Sequence, residues 1–370
     1  MIRIVIVVLF CLVSFFDTSA ADTIDDINSE MDYSELDNWL DNNTAFDKTF
    51  TEYVEGLLTG SEDFSVKGIT KSIVSSCVQG MEQELSVFST MFLIMGMAAI
   101  FTTFTSAIKN SQVSEMGFYL TYMLTVSVLS GIFINISSMA EELLIMVTEF
   151  MNLLTPAYMM GMAFCTGSGS ATAMYEISLL VITLADSIIL NFVFPLIDIY
   201  LMMAIANHVT RKGMFVKMAE LIYASVKWIN KTLIAVVVGL SAVQSLVAPG
   251  VDQLKRSVLT KASGMIPVIG NLVGGMTETV LGAGMVLKNV IGVAGVLAIV
   301  ILCAVPISKI GVMQLAVRFS GAVVEPIVDN RLTEVITDTG KAISLLLETV
   351  AFSAFLFILV IVILAVGTGI

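Results

Sequence analysis

The chain has 370 residues, 57% of them hydrophobic and only 13% charged, with a mean hydropathy of +0.94. Soluble domains carry about a quarter charged residues, so the expected class is an all-α, polytopic helical membrane protein. The formal charge of -13 is concentrated near the N-terminus: residues 22–85 hold 15 of the 31 acids against Lys48, Lys67 and Lys71, and the near-neutral remainder argues against a nucleic-acid-binding surface.

Arg3 precedes an apolar run from Ile4 to Phe16, and the small residues Thr18, Ser19, Ala20 and Ala21 follow. That order predicts a signal peptide over 1–20, which would place the acidic segment 21–85 outside the cytoplasmic membrane. Within the segment, Tyr33, Leu36, Trp39, Leu40, Phe46, Phe50, Tyr53, Val54, Leu57 and Leu58 recur mostly at three- and four-residue spacings. Two short amphipathic helices are expected there.

Residues 86–370 read as a multi-span membrane domain. Candidate spans lie at 86–108, 117–139, 143–164, 178–203, 221–247, 289–310 and 343–367, giving about six to seven transmembrane helices. The third is doubtful, since it contains Glu149, Asn152 and Pro156 and follows Glu141 and Glu142. With seven spans and an exported N-terminus, the loop bearing Arg211, Lys212 and Lys217 falls outside, against the tendency of basic loops to stay in the cytoplasm. Demoting 143–164 to a non-spanning element returns that loop inside together with Lys309, Arg318, Arg331 and Lys341, and leaves the C-terminus outside; Lys255, Arg256 and Lys261 then become external.

The stretch 251–259 has the pattern of an amphipathic surface helix. After it, Pro267, Gly270, Gly274, Gly275 and Glu278 interrupt an apolar run, and 264–289 is expected to be a broken, re-entrant segment lining a pathway or a site of close helix packing through small residues.

Catalytic signatures are lacking. The single histidine, His208, reads as an ordinary residue of a polar loop, and one histidine cannot form a HExxH zinc site. The four cysteines are scattered, and Walker A, GxSxG and GxGxxG patterns are absent. No enzymatic activity, cofactor or metal is expected. What remains are ionisable groups within spans: Glu149, Asp186, Asp198, Lys227, Lys231 and Lys288. Asp186 and Asp198 are 12 residues apart, which on a regular α-helix separates them by about 120° and makes no single acidic stripe. Lys288, Asn289, Gly292 and Asp186 are the candidate pathway or packing residues beside the five above.

The run Ile266-Pro267-Val268-Ile269-Gly270, then Thr277-Glu278-Thr279-Val280, then Val286 to Gly295 through Lys288, Asn289 and Gly292, resembles the stage III sporulation protein AE family, and Asn191-Phe192-Val193-Phe194-Pro195-Leu196-Ile197 is similar to its fourth-span region. Asn191 and Pro195 join the candidate residues on that ground. The resemblance covers most of the chain. It implies a membrane subunit of a sporulation channel complex linking mother cell and forespore, lying in the outer forespore membrane. It also implies, as partners, other spoIIIA-type membrane subunits, an ATPase subunit in trans and ring-forming intermembrane-space proteins. A homo-oligomer is a further expectation. The alternatives are a scaffold that assembles other subunits without lining a pore, and a stand-alone membrane transporter.

Overall fold

In hydrocarbon each backbone amide must be satisfied within the protein, and among the described residues the chain does this with helices alone. The computed structural model describes residues 31–43, 49–59, 111–166, 168–209, 214–263, 267–326 and 328–366, with scattered positions between 78 and 104; side chains are described for most of these but not for 164–174 or 240–281. The helices are α1 (Ser34–Asn43), α2 (Phe50–Thr59), α3 (Ser111–Thr166), α4 (Ser168–Ile188), α5 (Phe194–Val209), α6 (Val216–Ser263), α7 (Pro267–Val324) and α8 (Asn330–Val366), with one π-helical turn, Ile189–Val193, joining α4 to α5.

The two short N-terminal helices appear where the spacing of apolar residues places them. Thr49 and Glu52 form a reciprocal cap at the start of α2: the Glu52 amide donates to Thr49 Oγ1 (3.2 Å) and the Thr49 amide to Glu52 Oε2 (3.1 Å). Asp37 of α1 accepts hydrogen bonds from the amide and hydroxyl of Thr51 (3.0 and 2.5 Å), which ties the two helices together. Ahead of α1, the amide and hydroxyl of Ser34 hold the Asp32 carboxyl below its usual range. Leu36, Leu40, Phe50 and Val54 are buried against the long helices, as is Tyr33, whose hydroxyl is pushed up by that burial.

Among the described residues, five stretches are long and apolar enough to cross a membrane: Glu115–Ala163, Tyr175–His208, Val216–Gly239, Gly282–Val324 and Asn330–Ala365. The protein is a multi-pass membrane protein. The expected span at 86–108 lies almost wholly outside the described residues. The expected spans 117–139 and 143–164 are one uninterrupted helix, α3, of 56 residues, which cannot turn back across the membrane between them. At 1.5 Å per residue α3 is about 84 Å long, far more than a hydrocarbon layer of roughly 30 Å, so it continues past the bilayer as one rod. Pro156 sits within it without ending it.

The stretch 264–289 also differs from expectation. From Pro267 onward it is continuous helix, the first part of the 58-residue α7; Pro267 occupies the first helical position, where its missing amide costs nothing. Residues 264–266 lie outside the described residues.

Contacts along the rods fix two ends. At one end the buried Tyr122 hydroxyl of α3 donates to the Ile205 carbonyl of α5 (2.7 Å), Arg331 of α8 stacks on Phe118 of α3 (3.8 Å), and His208 of α5 meets α8. At the other, Gly161, Tyr158 and Leu154 of α3 face the region from Lys288 to Gly295 in α7, and Ile361 and Ala365 of α8 lie beside it. α1 packs on α3 near this second end, where Trp39 lies 5.9 Å from Phe150 and Phe50 lies 6.4 Å from it. Successive long helices run between the two ends in alternating directions. α7 is the most enclosed: 67% of its most apolar window is buried, against 22% for Val216–Gly239 of α6.

Candidate functional site

An ionisable group at the bilayer centre costs about 3 kcal/mol on insertion scales, so the polar groups inside the bundle are where function or specific packing must be sought. They fall into three places.

The first surrounds Lys288. Its side chain is 1% exposed, and Nζ donates to the carbonyl of Ala365, 3.1 Å away, near the C-terminus of α8. The last carbonyls of a helix have no partner within it and carry its negative pole; Lys288 supplies donor and countercharge together. Its neighbourhood is close-packed. A Cβ at Gly295 would stand 2.5 Å from Leu154 Cδ2, one at Gly292 3.3 Å from the Tyr158 ring, and one at Gly161 3.5 Å from the Lys288 backbone. Leu287, Val290, Ile291 and Ala294 are buried around them. Residues 288–295 are thus closely packed through Gly292 and Gly295. Asn289 is half-buried. Pro267, Gly270, Gly274, Gly275 and Glu278 lie on the same helix, with side chains outside the described set.

The second place is where α4, packed along α3, passes through the π turn into α5. Pro195 cannot donate to the carbonyl of Asn191 and its ring would press on it. The chain answers with the π turn just before it, closed by the Phe194 amide bonding back to the Ile189 carbonyl. A π turn takes about one residue more than an α turn, which sets the helix register back by about 100°. That correction overturns the expectation that Asp186 and Asp198 point about 120° apart. The turn brings the two acids toward one side of the helix: Asp186 turns to α3, where Thr148 donates to it (3.0 Å), and Asp198 lies exposed. Asn191, exposed on the same turn, donates to the Ser187 carbonyl and hydroxyl (3.0 and 3.3 Å). Glu149, further along α3, accepts from the indole of Trp39 (3.1 Å).

The third place is a polar cleft of about 910 Å³ at the opposite end from Lys288, where α5, α6, α7 and α8 converge. At its base is His208, expected in a polar loop but located in the last turn of α5 and only 8% exposed. Its Nδ1 is 3.0 Å from Glu334 and its Nε2 2.9 Å from Asp338, which Lys341 also holds at 2.8 Å. Through these two contacts the ring bridges α5 to α8. Glu334, Asp338 and Lys341 follow at helical spacing, one face of α8; that pattern at the start of an apolar span was the available signal, and only the fold reveals its partner. Higher in the bundle, Asn230 of α6 donates to Thr349 of α8 (2.9 Å), and Lys227 pairs with Glu348 (3.5 Å) above the Tyr223 ring. No group of three or more histidine, cysteine or acidic side chains converges on a metal-sized site among the described residues.

The family model described as Stage III sporulation protein AE matches residues 48–368. Stage III sporulation protein AE of Bacillus subtilis (strain 168) is 22% identical over 326 residues, covering 87% of this chain and 82% of the relative. No solved structure matches.

Proposed function

The chain belongs to the stage III sporulation protein AE family, and from that premise we propose that it is a non-enzymatic membrane subunit of a sporulation channel complex linking mother cell and forespore. The observation that carries this reading is the extent of the match, residues 48–368, which takes in α2 and every long helix. In this reading the end bearing Arg318, Arg331 and Lys341 faces the mother-cell cytoplasm, in keeping with the tendency of basic segments to stay inside. The end carrying α1 and α2 faces the space between the membranes.

Within such a complex, α3, α7 and α8 form a packing core. The burial of Lys288 and its bond to the end of α8 favour this role over a pathway through 288–295. A conduit would then be walled by surfaces that this chain turns outward, with other spoIIIA-type subunits, an ATPase subunit in trans and ring-forming proteins as partners. A second reading, a transporter acting alone, draws support from the two acids, Asp186 and Asp198, within one apolar stretch, Tyr175–His208.

One experiment separates the two. Affinity-tagged chain is isolated from sporulating cells and, in parallel, reconstituted by itself into lipid vesicles. The subunit reading expects other membrane subunits to co-purify and vesicles with this chain alone to show no solute flux. A chain that purifies alone and drives flux in vesicles would overturn it.

A further inference from the structure

The polar cleft at the histidine end has the dimensions of a ligand site. Its volume of about 910 Å³ lies within the range of small-molecule pockets, about 300–1,000 Å³. α8 packs on α5, α6 and α7, and each of the four helices turns one face to the cleft. On α8 that face carries Glu334, Asp338 and Lys341 at three- and four-residue steps, and α7 contributes Arg318 with Glu325 two turns on.

The two signs of charge are separated along the cleft. α5 ends at Val209, α6 begins at Val216, α7 ends at Val324 and α8 begins at Asn330, so the mouth lies at these four helix ends. Among the described residues the mouth carries acids: Glu325 just past α7, Glu220 one turn into α6 and Glu334 one turn into α8. Arg318 lies two turns inward of Glu325, and Lys341 three turns into α8. Tyr200 and Tyr223 line the same inner part, their ring centroids 5.8 Å apart.

Most of these charges already have partners. Lys341 holds Asp338 (2.8 Å), His208 meets Glu334 and Asp338, and Lys217 holds Glu220 (3.1 Å). Arg318 and Glu325 belong to none of these pairs. The Arg318 stem lies over Gly340, where a Cβ would stand 3.2 Å from its Cγ, and its Nη2 donates to Ser344 Oγ (3.1 Å). That anchor fixes a guanidinium whose five donors form a fork matched to a carboxylate.

The spacing selects the ligand. Seven residues along α7 put Arg318 and Glu325 about 10 Å apart. An extended peptide advances about 3.5 Å per residue, so three residues cover that interval and a free amino acid does not. We propose that the cleft binds a short peptide of about three residues by both ends, its C-terminal carboxylate on Arg318 and its α-ammonium on Glu325, with Tyr200 and Tyr223 against the chain between them. The inference goes beyond the proposed function and does not rest on it.

The test titrates the full chain, purified in detergent, with trialanine by isothermal titration calorimetry. Saturable binding of one peptide per chain is expected. N-acetyl-trialanine lacks the ammonium and trialanine amide lacks the carboxylate. Each should bind about tenfold more weakly, the scale of one hydrogen bond to a charged group, and alanine at least as weakly as either. Arg318→Gln is expected to erase the difference between trialanine and its amide while keeping that between trialanine and its acetylated form; Glu325→Gln should do the reverse. The capped peptides are compared on the unaltered chain, so the result stands even where a variant fails to fold. Absence of saturable trialanine binding, or capped peptides that bind as well as trialanine, would overturn the proposal. Weakening by the amide alone would also overturn it, by showing a carboxylate site suited to the C-terminus of a protein rather than to a free short peptide.

Discussion

Lys288 and Asp198 are both ionisable groups within apolar helices, yet their surroundings are opposite. Around Lys288 the chain supplies everything the charge needs: a carbonyl at the end of α8, glycines that let three helices close in, and a buried apolar shell. Around Asp198 it leaves an exposed surface. An intramembrane charge that its own fold encloses and hydrogen-bonds is a structural rivet, a role that an exposed one does not have. The distinction lies in packing, and hydropathy cannot make it.

The contrast can be broken from the Lys288 side first. Lys288→Ala removes a buried donor and opens a cavity, with an expected loss of about 3 kcal/mol, read as a fall in thermal stability and membrane abundance. Lys288→Met, which refills the volume, is expected to recover more than half of that loss. A Lys288→Ala chain of wild-type stability with impaired sporulation would instead return this residue to a pathway.

Gly295→Val tests the close approach of α3 and α7. Its Cβ would meet Leu154, and overpacking should cost about 2 kcal/mol. Leu154→Ala in the same chain should relieve part of this, so that the double variant is more stable than the sum of the two single losses allows.

His208→Leu removes both contacts of the imidazole to α8. The expected cost is about 1.5 kcal/mol, seen as increased thiol reactivity of a cysteine placed at Thr337 in the cleft. The smallest effect is expected at Trp39→Phe, which keeps the ring against Phe150 but loses the indole bond to Glu149. A loss of about 0.5 kcal/mol should appear as faster proteolysis within α1, with the long helices unaffected.

Much of this architecture was legible from residues alone. Leu36, Leu40 and Val54 marked two short amphipathic helices, and both form with those residues buried. The helical membrane class followed from apolar runs, and the family from the blocks around Pro195 and Lys288. Three features were not legible, each for a physical reason. Glu141, Glu142 and Glu149 look like an interruption between two spans, but in one long helix they are simply positions on a single rod. Glycine and proline in 267–275 look like breaks, but proline at a first helical position and glycines flanked by strong apolar neighbours remain helical. The facing of Asp186 and Asp198 turns on one extra residue in a π turn, and Pro195 four residues after Asn191 was its local signal. His208 needed the fold itself, since its partners lie 126 and 130 positions away in the chain.

The central claim is that the α3/α7/α8 core is sealed by packing around Lys288. The most direct test is labelling of single cysteines at Val290, Ile291 and Ala294 in intact cells with a membrane-impermeant thiol reagent, in the chain lacking its native cysteines. Cysteines at Met214 and Val328, which the proposed orientation places on the cytoplasmic side, serve as controls. The account predicts silence at all three core positions before and after permeabilisation, with the two loop controls reacting after it. Rapid labelling at Ile291 in a chain of normal abundance would mean that water reaches this core, and would contradict the account.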